Sequence, residues 1–141
     1  MTRRPSPADP PDYAALAAFR RALRGFTDFS ERAARGAGLS PRQHQALLAI
    51  KGAPAPPTIG ALAEALVIRP HSAVELVDRL TQLRLVERRA DPADLRRARL
   101  ALTERAETIL RALSEAHLAE LRAIRPSLIA LLERFAPGAP T

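Results

Sequence analysis

Cysteine is absent from the chain, which excludes disulfides, thiolate metal sites, thiol nucleophiles and redox sensing through sulfur pairs. There is also a single methionine. Lysine is nearly absent too: 21 of the 22 basic residues are arginine, so the positive charge does not titrate away near neutrality. Long hydrophobic runs are missing. The opening MTRRPSPADPP carries basic residues with no apolar stretch behind them, so neither export nor membrane insertion is expected, and the expected location is the cytoplasm. Neither a nucleophile elbow, a glycine-rich phosphate loop, paired histidines nor a carboxylate cluster occurs, and the chain is not expected to be an enzyme.

What remains is a chain of 141 residues with 47% apolar content, enough for one compact domain and an appended element. Its 22 basic and 15 acidic residues leave a formal +7. A polyanionic partner is compatible with that excess, although bulk charge serves solubility equally well.

Residues 1–11 hold four of the 13 prolines and no large apolar side chain except Met1, so they are expected to form a disordered tail. From Asp12, a suitable N-cap, Leu16, Phe19, Leu23 and Phe26 step by three and four along one helical stripe to about Arg35, where GAG at 36–38 ends it. Ser40 followed by Pro41 opens a second helix, with Leu47, Leu48 and Ile50 on its buried face. After the rigid break APAPP at 53–57, Thr58 caps a short third helix with Ile59, Leu62, Ala63 and Leu66 facing inward. Arg69-Pro70 begins a fourth, in which Val74, Val77, Leu80 and Leu83 recur at helical spacing. Two short helices thus meet across the tight turn ALVIRP.

The period then changes. LVERRA and RARLALT alternate around DPADLRR, which predicts a hairpin. Helical spacing resumes after Thr103 through Leu110, Leu113, His117, Leu121, Ile124, Leu128, Leu131 and Phe135, and Arg125-Pro126 is expected to interrupt it. The predicted class is mainly α with a small β-hairpin wing, a winged helix-turn-helix: the second helix of the turn pair fits a DNA major groove while the hairpin reaches a minor groove.

Six arginines and three acids lie between Arg84 and Arg99. Arginine on a projecting loop can enter a narrow minor groove, where the potential is most negative. Asp94 stands two residues before Arg96 and could hold that guanidinium in a bidentate pair; the alternative is a solvated charged turn. In the fourth helix Arg69, His71, Ser72 and Glu75 lie away from the apolar stripe and are candidates for phosphates or base edges. Ser72 and Glu75 also have capping-box spacing, which would account for both. Arg79, beside Asp78, suits a phosphate contact or an intramolecular ion pair.

The runs LSPRQHQALLAIKG, TIGALAEALVI and HSAVELVDRLTQLRLVERRADPADLRRARLALTERAETIL resemble the multiple antibiotic resistance regulator (MarR) family of winged helix-turn-helix transcription factors, over about residues 12–135. VDRL, LRLVERR and DPADLRRARLALT carry the resemblance most specifically. It implies that Arg96 is the wing-tip arginine and Asp94 its partner, and that 70–83 is the recognition helix. Candidate DNA contacts are therefore Arg69, His71, Ser72, Glu75, Arg79, Arg88, Arg89, Asp94, Arg96 and Arg97. At Arg84 the family usually has glycine or a small residue, which suggests a looser turn here.

The resemblance further implies a homodimer built from the first and last helices, and a repressor that binds a pseudo-palindromic operator in double-stranded DNA. The matching boundaries are 12–38 for an N-terminal dimerisation helix, 39–103 for the DNA-binding domain, 104–136 for C-terminal dimerisation helices and 137–141 for a tail. The apolar surface of the first and last helices exceeds what three short helices and a hairpin cover, which fits pairing between chains; packing of the two helices on each other within one chain is the alternative. Relatives commonly respond to small aromatic or anionic effectors, for which Phe26, Phe29, His44 and His117 are lining candidates. For His44 a structural hydrogen-bonding role is the competing reading. His44, His71 and His117 lack short metal-ligand spacing, so no metal or cofactor is expected. A winged-helix module that binds proteins instead of DNA is the competing function; an apolar or acidic wing would favour it.

Overall fold

A computed structural model describes residues 9–135. The expected tails fall outside these residues, apart from 9–11. In order, the elements are α1 (Tyr13–Gly36), α2 (Pro41–Gly52), α3 (Ile59–Leu66), α4 (Pro70–Gln82), β1 (Val86–Ala90), β2 (Ala98–Leu102) and α5 (Glu104–Glu133). The strands pair antiparallel, with Val86 opposite Leu102, Arg88 opposite Leu100 and Arg89 opposite Arg99. The mainly α class with a hairpin wing is as expected.

The chain divides into two compact units: Ser30–Ala116, and the residues up to Phe29 together with those from His117. The first contains the main core, where Leu47, Leu62, Val77, Leu80, Leu85, Val86 and Leu100 are all essentially removed from water. Burying each such side chain contributes about 1.5–3 kcal/mol, and the ends of α1 and α5 that belong to this unit add Ala34, Ala106, Leu110 and Leu113. In the other unit, Asp12 caps α1 by accepting from Ala15 N–H at 3.0 Å. The same carboxylate takes the Arg134 guanidinium through Nε at 3.0 Å and Nη2 at 2.9 Å, closing the far end of α5 against the start of α1. Phe19 and Phe135 meet edge to face at 6.0 Å.

Local signals set the helix starts. Ser40 accepts from Gln43 N–H at 3.1 Å while Gln43 Oε1 accepts from Ser40 N–H at 2.9 Å, a complete capping box with Pro41 in the first turn. Thr58 accepts from Ala61 N–H at 3.1 Å, and Thr103 from Ala106 N–H at 3.2 Å.

Three helices end in the same way. Gly38, Val67 and Arg84 adopt left-handed backbone, with φ of 82°, 54° and 57°. In each case the following N–H reaches back five residues: Leu39 to Ala34 O at 2.9 Å, Ile68 to Ala63 O at 3.0 Å and Leu85 to Leu80 O at 2.9 Å. These are Schellman closures that satisfy orphan carbonyls and tuck an apolar residue inward. The turn at Arg84 is therefore as tight as a glycine would make it, contrary to the looser turn expected.

Several other expectations are corrected. Leu48 is 50% exposed and Val74 42% exposed, because the buried stripes run through His44 and Leu47 in α2 and through Ala73, Val77 and Leu80 in α4; a residue one step along is turned about 100° away. No break occurs at Arg125-Pro126, since α5 runs uninterrupted through Pro126. Proline removes the donor for the Arg122 carbonyl, but both residues are exposed, so water can take its place. The Ser72–Glu75 capping box does not form: the N-cap of α4 is Arg69, without a side-chain cap, and Glu75 Oε1 instead faces His71 Nε2 at 3.6 Å.

Candidate nucleic-acid interface

α3 and α4 meet at the Val67 turn, and the chain passes directly from α4 through Arg84 into β1, so the second helix of the pair and the hairpin lie in one continuous stretch. Thr103 fastens the far side of the hairpin: its N–H donates to Leu85 O at 3.0 Å and its hydroxyl to Arg84 O at 2.7 Å. Arg105 adds a bond from Nη1 to Leu83 O at 3.1 Å. The end of α4, the base of the wing and the start of α5 are thus tied by backbone carbonyls.

The eight arginines between 69 and 99 divide into two groups. Arg88 pairs with Asp78 of α4, Arg89 with Glu87 at 3.4 Å, and Arg99 with Asp91 at 3.0 Å. Arg69, Arg79, Arg84, Arg96 and Arg97 form no close ion pair with a carboxylate of the described residues and are exposed. Arg79 Nη1 makes only a long bond of 3.5 Å to Gln82 Oε1; of the two roles open to it, the intramolecular ion pair does not form, and the neighbouring Asp78 pairs with Arg88. His71 and Glu75 are also exposed on the first turns of α4, and Ser72 is half-buried there. The surplus positive charge of this region thus sits at the two ends of α4 and at the wing tip.

The wing loop is ordered by its two aspartates through bonds other than the expected Asp94–Arg96 side-chain pair. Asp94 does not form the bidentate pair with the Arg96 guanidinium; its Oδ1 accepts from Arg96 backbone N–H at 3.0 Å, the geometry of a short side chain closing an Asx turn. The Arg96 side chain is left directed to solvent, without a partner among the described residues. The carboxylate that grips an arginine is Asp91, which is only 5% exposed. Its Oδ2 accepts from Arg99 Nε at 3.0 Å and its Oδ1 from Ala93 N–H at 2.9 Å. The Ala93 N–H bond, helped by the Arg99 and Arg97 charges and opposed by desolvation, holds the Asp91 carboxyl below the usual carboxylate range. The Asp-Pro step at 91–92 signalled the turn, but nothing in spacing singled out Arg99 as the partner.

Of the candidate effector residues, Phe26 and Phe29 each meet His117 edge to face, at 6.0 and 5.3 Å. His44 belongs to the other unit, where it is 4% exposed on the inner face of α2. Among the described residues no group of three or more histidines and carboxylates could hold a metal ion, and no helix is long and apolar enough to cross a membrane.

A helix pair closed by a tight turn, followed by an arginine-bearing hairpin, defines a winged helix-turn-helix. The sequence model of the MarR family matches residues 37–97, the stretch that holds the helix pair and most of the hairpin. No curated protein matches the sequence. Among solved structures, the chain is similar to a MarR family transcription regulator designated SP03579, at 27% identity and a TM-score of 0.67 over 87% of this chain and 89% of that one. It shares its fold with RV1404 from Mycobacterium tuberculosis, at 24% identity and a TM-score of 0.76 over 96% and 100% of the two chains. The same fold occurs in CouR, a transcriptional repressor solved on a 23-mer DNA duplex, at 23% identity and a TM-score of 0.63 over 90% and 99%.

Proposed function

We propose that the chain is a DNA-binding transcription regulator that acts as a homodimer and represses by occupying a pseudo-palindromic operator. The observation that carries this reading is the set of exposed arginines that form no close ion pair with a carboxylate of the described residues, Arg69, Arg79, Arg84, Arg96 and Arg97, on α4 and the wing. In a duplex complex α4 lies in the major groove, where His71, Ser72 and Glu75 reach base edges or phosphates, and Arg96 enters the minor groove. Arg88, Arg89 and Asp94 contribute mainly by holding that surface in shape. CouR bound to its duplex supports the reading by kinship of fold.

The dimer is supported by Leu16, Leu23, Leu118, Leu121, Ile129 and Leu132, each between 39% and 53% exposed on the outer parts of α1 and α5. So many large apolar side chains on one unit favour burial against a second copy. Residues 12–38 and 104–136 then serve dimerisation and 39–103 DNA binding. The aromatic group of Phe26, Phe29 and His117 suits a small aromatic or anionic effector whose binding shifts the separation of the two reading helices.

Selection of bound fragments from genomic DNA, repeated with Arg96→Ala, tests the reading. Enrichment of a two-fold-symmetric site by the wild type, weakened without change of sequence in the variant, is the expected result. Recovery of no fragment above background by the wild type would refute it.

A further inference from the structure

We propose that Asp91, Arg99 and the carbonyl of Pro56 form a clamp that sets the wing against the entrance of the helix-turn-helix, making Asp91 and Arg99 positioning residues for the wing-tip arginines. The proposal rests on the DNA-binding reading above and adds to it a pair of residues that touch no nucleic acid themselves.

Asp91 stands at the neck of the wing loop and uses nearly all its polar atoms there. Its N–H donates to Arg97 O at 3.1 Å, and its carbonyl accepts from Asp94 N–H at 3.2 Å. Its two carboxylate oxygens take Ala93 N–H and Arg99 Nε. Arg99 then reaches past the sheet: Nη1 donates to Pro56 O at 3.0 Å, and the next backbone N–H, that of Leu100, donates to Pro57 O at 2.8 Å. Two consecutive carbonyls are thereby gripped immediately before Thr58, the residue that caps α3. An unbroken chain of direct bonds leads from the neck of the wing to the first turn of the helix pair.

Two features argue that this is more than a surface ion pair. Arg89 and Arg99 stand directly opposite each other across the hairpin, an arrangement of like charges that destabilises a sheet unless each is compensated; Asp91 compensates Arg99 and Glu87 compensates Arg89. Guanidinium geometry is also required, because Nε and Nη1 donate to two acceptors in different directions, which a lysine ammonium on a flexible stem does not reproduce. With the loop held before DNA arrives, Arg96 and Arg97 need little ordering on binding, and preorganisation of this kind raises affinity without adding a contact.

The test is a double-mutant cycle in the full-length protein on an operator duplex obtained by selection, combining Arg96→Ala with Asp91→Asn and, separately, with Arg99→Lys, which keeps the charge and loses one of the two bonds. Thermal unfolding of each variant guards against loss of fold, and Arg99→Lys carries the cycle if Asp91→Asn does not fold. Arg96→Ala is expected to weaken binding about 10-fold in the wild-type background and no more than about 3-fold once the clamp is broken, with faster amide exchange at Asp94 and Arg97 in the free clamp variants. An equal cost of Arg96→Ala in both backgrounds, or unchanged exchange, overturns the clamp while leaving DNA binding standing. A wild type that binds no duplex overturns the DNA-binding reading, and the proposal with it.

Discussion

Replacing Val67 with glycine should stabilise the protein although it deletes a hydrophobic side chain. Val67 sits at φ 54° and ψ 49°, where an L-residue pays about 1–2 kcal/mol relative to right-handed backbone, and a β-branched residue is at the costly end. Its side chain is 89% exposed, so truncation forfeits almost no burial. Glycine relieves the local cost but widens the unfolded ensemble, an opposing effect of about 0.4–1 kcal/mol. The net expectation is a gain of about 0.5–1 kcal/mol, read as a higher urea midpoint with unchanged slope at fixed protein concentration. Gly38→Ala is the mirror experiment. Gly38 has φ 82° and nothing within 4 Å of where a Cβ would stand, so its loss of about 1 kcal/mol is a backbone effect alone. A lower midpoint for Val67→Gly, or a midpoint for Gly38→Ala equal to or above the wild type, would refute the assignment of these closures. Arg84→Gly should share the stabilising direction while weakening DNA binding, since the side chain lost is one of the unpaired arginines; stability and function then move in opposite senses.

Other consequences can be measured directly. Leu80→Ala, at a position fully removed from water, should cost about 2–5 kcal/mol in denaturant unfolding, and a loss under about 1 kcal/mol would mean that α4 does not pack as described. The lowered Asp91 carboxyl contributes stability that is complete above the ordinary carboxylate value near 4 and lost as pH falls through its lower folded value. Unfolding midpoints should therefore be flat on this account from about pH 5 to 8 and fall in acid, with a shallower acid fall in Asp91→Asn; the same acid slope in both proteins would contradict it. Paired charges at Leu121→Glu and Leu132→Glu should convert a dimer into monomers in light scattering coupled to gel filtration, and a wild type that runs as a monomer would remove the dimer from the proposed function.

Much of this architecture could be read before any coordinates. Ser40-Pro41 and Thr58 announce their helices because capping is local chemistry, and the change from helical to alternating period between Leu83 and Val86 marks the wing, whereas the cap that Thr103 gives α5 shows only in the structure. What was not legible depends on geometry across the fold. Val74 and Leu48 share the apolar character of their neighbours, and only packing decides which side of the stripe stays wet. Pro126 looked like a break because local rules forbid it, yet the apolar spacing on both sides carries α5 through, at an exposed site where a missing donor is tolerated. At the candidate interface the arginine-rich wing is visible in composition, whereas the partners of Arg88 and Arg99 are not: the pair with Asp78 follows from the packing of α4 beside β1 and the pair with Asp91 from the hairpin's register. Asp94 closes on the Arg96 backbone N–H and not on its side chain, the usual outcome for a short carboxylate two residues upstream in a turn.

The most direct test is the salt dependence of duplex binding, measured by fluorescence anisotropy from low to moderate salt with the wild type and Arg96→Ala. Each phosphate contact contributes about 0.9 to the slope of log affinity against log salt, so five unpaired arginines per chain predict a steep slope, of magnitude about 4 or more, that becomes shallower by about 1 for each Arg96 removed. Binding that is absent at low salt, or that shows a slope near zero unaffected by Arg96→Ala, would contradict the claim that α4 and the wing form a nucleic-acid interface.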